Sequence, residues 1–293
     1  MPYARRLRCR RAPSQRLPSG RAQVASGSGT LIAVVSEPAY SAGSTKEPLT
    51  MQIEIEANGI KIPAELVVPG PGAHPGVIIV HDGKGFGPHV VGVANEIAEA
   101  GCTALAIDLF SRGGPPEGLP NDELLAFLRS VPDRQIVGDL QAAIDFLAVD
   151  PAVDGQPIGM VGYCWGGACT FLASAHCTGL TAAASWYGEL RTEVLNDKHP
   201  EHPIDAVDAR RCPVVALFGE LDPYVPVAYV DELKARAPRN PIELEIEVYP
   251  GLNHGFAHRE RDHFDRAGHD DGWSRIWRLF DRTLRSERPI DAT

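Results

Sequence analysis

The chain of 293 residues contains no run of eighteen or more apolar residues, which excludes an ordinary membrane-spanning helix. Cysteine is scarce: Cys9, Cys102, Cys164, Cys169, Cys177 and Cys212 are too few and too unevenly placed for a disulfide scaffold at this length. A reducing, cytoplasmic setting is therefore expected. A basic surplus is also missing. The formal charge is −10, and because the first 25 residues carry seven arginines and no acid, the remainder stands at −17. Such an acidic body repels nucleic acid, and an anionic substrate would need a local basic residue to hold it. Metal-ligand spacing is lacking as well. His199 and His202 in "DKHPEHP", and the His-rich "HRERDHFDRAGHDD", read as solvated loops. The stretch "HDGKGFG" lacks the spacing of a phosphate loop. No metal, no cofactor, no nucleic-acid partner and no membrane partner is expected.

What is present begins with a compositional break. The opening "MPYARRLRCRRAPSQRLPSGRAQVASGSG" is rich in Arg, Ser, Pro and Gly, and no acid precedes Glu37. Transit peptides and disordered arms share that composition, and an upstream stretch translated in error ahead of Met51 would look the same. Its prolines break any amphipathic helical pattern. Residues 1–48 are expected to form a tail, and residues 49–293 a single domain.

From Met51 the sequence "MQIEIEANGIKIPAELVVP" alternates apolar and polar residues on both sides of Asn58-Gly59, the signal of a two-residue hairpin. Apolar, strand-like runs then alternate with helical patterns: "GVIIVH", "VVGVANEIAEAG", "CTALAIDLF", "DRQIVGDLQAAIDFLAVD", "PIGMVGY", "TAAASWYG", "PVVALFG", "AYVDELKARA", "IELEIEVYP" and "GWSRIWRLFDRTLRS". Continuous apolar strands between helices predict an α/β fold with a mostly parallel sheet covered on both faces.

In "GMVGYCWGGACTFLASA" an apolar strand runs directly into a helical pattern, with Cys164 at the junction and Gly162 and Gly166 on either side. That is the spacing of a nucleophile elbow, where flanking glycines are needed because strand and helix backbones pass close together. The helix N-terminus favours a thiolate at Cys164, and the N–H of Trp165 points where an oxyanion would form. Cys102, Cys169, Cys177 and Cys212 read as small buried side chains. A thiol nucleophile needs a base, and the base needs an orienting acid. Asp222 in "PVVALFGELDPYVP" and His254 in "IELEIEVYPGLNHGF" each follow a strand, in the chain order nucleophile, acid, histidine.

From about Met51 onward the sequence resembles the dienelactone hydrolases, the cysteine-using branch of the α/β-hydrolase fold, through "GYCWGGA", "GELDPYVP", "LNHGFA" and "AIDLFSRGG". The resemblance implies that Cys164, Asp222 and His254 form a catalytic triad, and that the reaction is hydrolysis of an enol lactone or related ester through an acyl-cysteine. It further implies a glutamate after the third strand that restrains the nucleophile at rest, beside an oxyanion-hole amide. Counted from the strand end, Asp82 takes that place and Gly83 supplies the amide; counted back from Phe86-Gly87, Lys84 would take it. Family members hold the substrate carboxylate with two arginines. Arg112 fits one, whereas His258, with Arg259 next to it, stands where the other is expected.

The expectation is a cofactor-free hydrolase of small lactones or esters, a monomer or small homo-oligomer. Three rivals stay open: a broad carboxylesterase or thioesterase, a catalytically silent binding protein of the same fold, and a redox protein pairing Cys164 with Cys169. The intact acid and histidine count against the last two, since neither binding nor disulfide exchange needs them.

Overall fold

The computed structural model describes residues 47–113 and 118–285. The expected tail, apart from its last two residues, and Cys9 lie outside them. The hairpin forms as the sequence predicts: β1 (Leu49–Ala57) pairs antiparallel with β2 (Ile60–Val68), turning at Asn58 and Gly59. Both turn residues have positive φ, 53° and 76°, which the right-handed twist of the two strands requires.

Six further strands follow: β3 (Gly76–Val80), β4 (Thr103–Ile107), β5 (Ile158–Tyr163), β6 (Leu180–Trp186), β7 (Val214–Gly219) and β8 (Leu244–Tyr249). They form one eight-stranded sheet in the order β1-β2-β4-β3-β5-β6-β7-β8. The β2–β4 contact is antiparallel, and every pairing from β4 to β8 is parallel. β3, β4, β5 and β7 are buried along their whole length, as their unbroken apolar runs demand.

Alternate residues of β3 feed opposite faces. Val77 and Ile79 pack with α1 (Pro88–Glu99) and α7 (Arg266–Thr283), whereas Ile78 and Val80 pack with α3 (Asp133–Val149) and α4 (Trp165–His176). α1 buries Val90, Val93, Ala94, Ile97 and Ala98, one stripe at helical spacing. α4 is buried on almost every side, from Trp165 to Ala175, so the element that follows Cys164 is held rigidly.

Three elements depart from the sequence reading. α2 (Asn121–Leu128) and the short α5 (Pro203–Asp208) were not expected as helices. α7 starts at Arg266, N-capped by Asp265, whose Oδ1 accepts the N–H of Gly268 at 2.7 Å. The His-rich stretch read as a solvated loop is thus partly helix, with His269 buried. His199 is buried too, its ring between the Asp133 carboxylate at 2.7 Å and the Arg129 carbonyl at 2.9 Å. Among the described residues no helix is long and apolar enough to cross a membrane.

Candidate active site

β3, β5, β7 and β8 all end on one edge of the sheet, and each is followed by a loop that carries a polar group toward a common crevice. Open parallel sheets bind ligands outside the carboxyl ends of their strands. Cys164 joins β5 to α4 with φ 56° and ψ −118°, a conformation that costs a non-glycine residue free energy and persists only where its surroundings enforce it. The flanking glycines show how. A Cβ on Gly162 would lie 2.1 Å from the carbonyl oxygen of Gly166, and one on Gly166 would lie 2.3 Å from that of His81. Trp165 is the first residue of α4, so its N–H has no acceptor within the helix.

Asp222 lies in the loop after β7 and is buried. Its Oδ1 accepts the N–H groups of Tyr224 at 2.8 Å and Val225 at 3.1 Å, which fixes the carboxylate, and its Oδ2 is 2.7 Å from Nδ1 of His254. His254 follows β8. The rings of Tyr187 and Tyr224 meet its imidazole edge-on, each with centroids 4.9 Å away. Burial by itself would lower the pKa of His254. Electrostatic interaction with the nearby Cys164 and the hydrogen bond and charge of Asp222 outweigh it and raise the value to about 10. The structure thus bonds His254 to Asp222 and brings His254 and Cys164 to the wall of one cavity, from three separate loops.

These groups open into a cavity of about 150 Å³. Cys164, Trp165, Gly83 and His254 form its reactive end. Leu124, Leu125 and Leu128 of α2 cover it, and Lys84, Glu189 and Arg261 bring charge to it. Glu189 reaches solvent at the rim, yet the surrounding protein desolvates its carboxyl enough to raise its pKa. Leu128 sits directly over the oxyanion loop, its Cδ1 2.9 Å from where a Gly83 Cβ would be.

Of the residues singled out in the sequence, Asp222 stands behind His254, and Arg112, His258, Arg259 and Asp82 also do not line this cavity. Arg112 is turned away onto α3, where Nε donates to Oδ2 of Asp139 at 3.2 Å and Nη2 closes on Oδ1. Asp139 is buried, so this pairing commits the guanidinium to the fold. His258 is buried and stacks on His89 at 3.8 Å between ring centroids, with its Nε2 3.9 Å from Asp82. Burial and the neighbouring Arg261 lower its pKa, and burial and His258 bring that of His89 to about 3, so the two stacked rings are neutral. Asp82 accepts the N–H of Lys84 at 2.8 Å and is paired with Nη2 of Arg261.

Arg261 is the arginine that the sequence reading missed. It stands seven residues after His254 in "HRERDHF", among other charged residues, and nothing in its spacing marks it. Tyr187 and the α2 leucines were missed as well; for the latter, the apolar spacing of "NDELLAFL" was available as a signal. The five cysteines among the described residues are all free, so Cys164 and Cys169 are not joined.

A parallel sheet whose strand ends present an elbow, an acid and a histidine in that chain order defines an α/β-hydrolase. Within that class the chain belongs to the dienelactone hydrolase family, whose model matches residues 62–284. A protein of Salmonella typhimurium named "Putative carboxymethylenebutenolidase" is 31% identical over 268 residues, covering 90% of this chain and 95% of that one. One of the same name from Methylorubrum extorquens is 30% identical over 228 residues, covering 77% and 78%. Among solved structures, the "Putative Dienelactone Hydrolase" of Klebsiella pneumoniae superposes with a TM-score of 0.76 at 29% identity, covering 80% of this chain and 99% of that one. The chain is accordingly a hydrolase of the dienelactone hydrolase type.

Proposed function

We propose that the protein hydrolyses small lactones or esters through an acyl-cysteine intermediate, with Cys164 as nucleophile, His254 as the proton-carrying group and Asp222 as its orienting acid. The observation that carries this reading is that His254, bonded to a buried carboxylate at 2.7 Å and with its pKa raised to about 10, rests protonated at neutral pH on the wall of the cavity that Cys164 also lines.

The steps follow from that resting state. The Cys164 thiolate attacks the carbonyl carbon, and the N–H groups of Trp165 and Gly83 receive the charge that develops on oxygen. His254, already protonated, gives its proton to the departing alcohol or enol oxygen. Neutral His254 then takes a proton from water as that water attacks the thioester, and the Cys164 thiolate leaves to restore the starting pair. Asp222 keeps Nδ1 of His254 engaged throughout, so that Nε2 faces the chemistry.

Substrate choice follows from the cavity. A volume of about 150 Å³ under three leucines suits a compact, largely apolar acyl group. Lys84 and Arg261 at its wall suit a carboxylate on that group, which would have to compete with Asp82 for Arg261. The carboxylate-binding role expected of Arg112 passes to Arg261 in this reading, because Arg112 is occupied by Asp139. A second reading, an esterase for neutral esters, is favoured by the Asp82–Arg261 pair, which neutralises much of the positive charge before any substrate arrives.

The test is a hydrolysis panel of an anionic lactone, a neutral lactone, a neutral ester and a thioester, with Cys164→Ala as the blank. The expected result is Cys164-dependent turnover that is fastest on the anionic lactone. Turnover that persists in the blank overturns the reading.

A further inference from the structure

His81 is the residue after β3, fully buried, and belongs to neither the elbow nor the acid–histidine pair. Both of its ring nitrogens are used, and each use dictates the other. Nδ1 lies 2.8 Å from the carbonyl oxygen of Asp82, which can only accept, so Nδ1 carries the proton. Nε2 lies 3.1 Å from the backbone N of Leu109, which can only donate, so Nε2 is the bare lone pair. The Asp108 carboxylate, at 3.9 Å from Nε2, is beyond hydrogen-bonding reach. Burial lowers the pKa of His81, in keeping with a neutral ring of fixed tautomer.

The carbonyl that His81 holds has a partner. Asp82 C=O and Gly83 N–H are the two polar ends of one trans peptide unit, planar and pointing in opposite directions. Fixing the carbonyl therefore fixes the direction of the N–H of Gly83, a residue that lines the same cavity as Cys164. The same carbonyl also accepts the N–H of Gly85 at 3.1 Å, and two donors on one amide oxygen polarise the amide so that its own N–H donates more strongly. The imidazole is in addition stacked on the indole of Trp165, 5.7 Å between centroids and 18° from parallel, and wedged edge-on against Phe110 at 4.4 Å. Trp165 is the residue whose N–H forms the other half of the oxyanion hole. One neutral ring thus touches both strands of chain that supply the two donors.

We propose that His81 is a positioning residue that sets the oxyanion hole by holding the Asp82–Gly83 peptide through Nδ1. The proposal rests on the acyl-cysteine reading above. It predicts that the effect of His81 falls on the acyl-transfer step and not on the readiness of the thiolate, because alkylation of Cys164 forms no oxyanion.

Two substitutions separate the two ring nitrogens. His81→Asn keeps a donor near the place of Nδ1, whereas His81→Gln reaches the place of Nε2 and gives up the bond to Asp82. On p-nitrophenyl acetate, His81→Gln should lower kcat at least about tenfold and His81→Asn no more than about threefold, with KM little changed in both. The rate at which iodoacetamide alkylates Cys164 should match wild type in both. Equal kcat losses in the two variants, undiminished kcat in His81→Gln, or alkylation slowing in step with kcat would each overturn the proposal. If His81→Gln does not fold, His81→Asn carries the test alone, and a loss beyond threefold in a folded protein overturns it. Turnover of the ester that survives Cys164→Ala would remove the underlying reading and this proposal with it, and it is seen in the parent protein before either His81 variant is assayed.

Discussion

Arg261 closes on Asp82, 179 residues earlier in the chain, and places the one arginine that lines the cavity among the described residues next to the carboxylate that follows β3. The guanidinium is mostly buried and the carboxylate almost wholly so. In the proposed reading, a substrate carboxylate would have to draw Arg261 away from Asp82, which makes Arg261 the residue to test for anion recognition. Arg261→Gln should raise KM for an anionic ester or lactone about tenfold or more and leave a neutral ester of the same size within about threefold, equivalent to ~1.4 kcal/mol of binding for the anion. Steady-state kinetics on the matched pair decide it, and an equal loss on both would assign Arg261 to the fold alone.

Arg112 should behave in the opposite manner. Its removal leaves Asp139 buried without a cation, and breaking such a pair from one side costs about 3 kcal/mol or more. Urea unfolding of Arg112→Ala should show that loss, while KM on anionic and neutral substrates stays at the parent value. A tenfold rise in KM confined to anions would return Arg112 to the substrate.

Cys164 should be indispensable and distinct from the other thiols. Cys164→Ala should abolish hydrolysis. Cys164→Ser should fold normally and turn over slower by orders of magnitude, since an alcohol must be deprotonated where a thiolate stood ready. Burial raises the pKa of Cys102, Cys169, Cys177 and Cys212, the last two to about 12, which keeps them unreactive. Mass spectrometry after brief iodoacetamide treatment should therefore find Cys164 labelled first.

The charge on His254 also sets a pH dependence of stability. Its pKa rises from an ordinary 6.5 to about 10 on folding. A raised value means that the folded chain holds a proton the unfolded chain releases, so the stabilisation is fully present below pH 6.5 and is lost as pH climbs through 10. Relative to His254→Asn, the parent protein should be most favoured near pH 6, with the gap in urea midpoint narrowing steadily toward pH 10. A gap that widens with pH would contradict the raised pKa of His254.

The elbow glycines should tolerate nothing larger. Gly162→Ala drives a Cβ to 2.1 Å from a backbone oxygen in a buried helix start and should cost more than about 2 kcal/mol, with loss of turnover. Gly92→Ala is the control: it lies inside α1 with nothing within 4 Å of the new methyl and should be neutral or stabilising by up to about 1 kcal/mol. Thermal melts of the two variants make the comparison.

The sheet and the main helices were legible because their signals are local. Asn58-Gly59 can only turn a hairpin one way, the apolar runs of β3, β5 and β7 can only be buried, and Val90, Val93 and Ile97 recur at the helical period. The α2 helix was less legible: it buries no residue fully, and its leucines line the cavity, with Leu128 also packing against the core. His199 and His269 were misread as solvated because burial of a histidine depends on partners that only folding brings to it, as the Asp133 carboxylate and Arg129 carbonyl are brought to His199.

By itself, then, the sequence determined the α/β architecture, the strand-to-helix turn at Cys164 and the order of Cys164, Asp222 and His254 along the chain, because propensity, glycine sterics and strand-end position are properties of neighbouring residues. Only the tertiary structure decided which cation serves the cavity. Arg112, whose sequence context matched, is held by Asp139 on α3, and Arg261, whose context said nothing, is held by Asp82 at the cavity wall. An arginine goes to the carboxylate that lies within reach and out of water, and which carboxylate that is depends on chain segments 27 and 179 residues away.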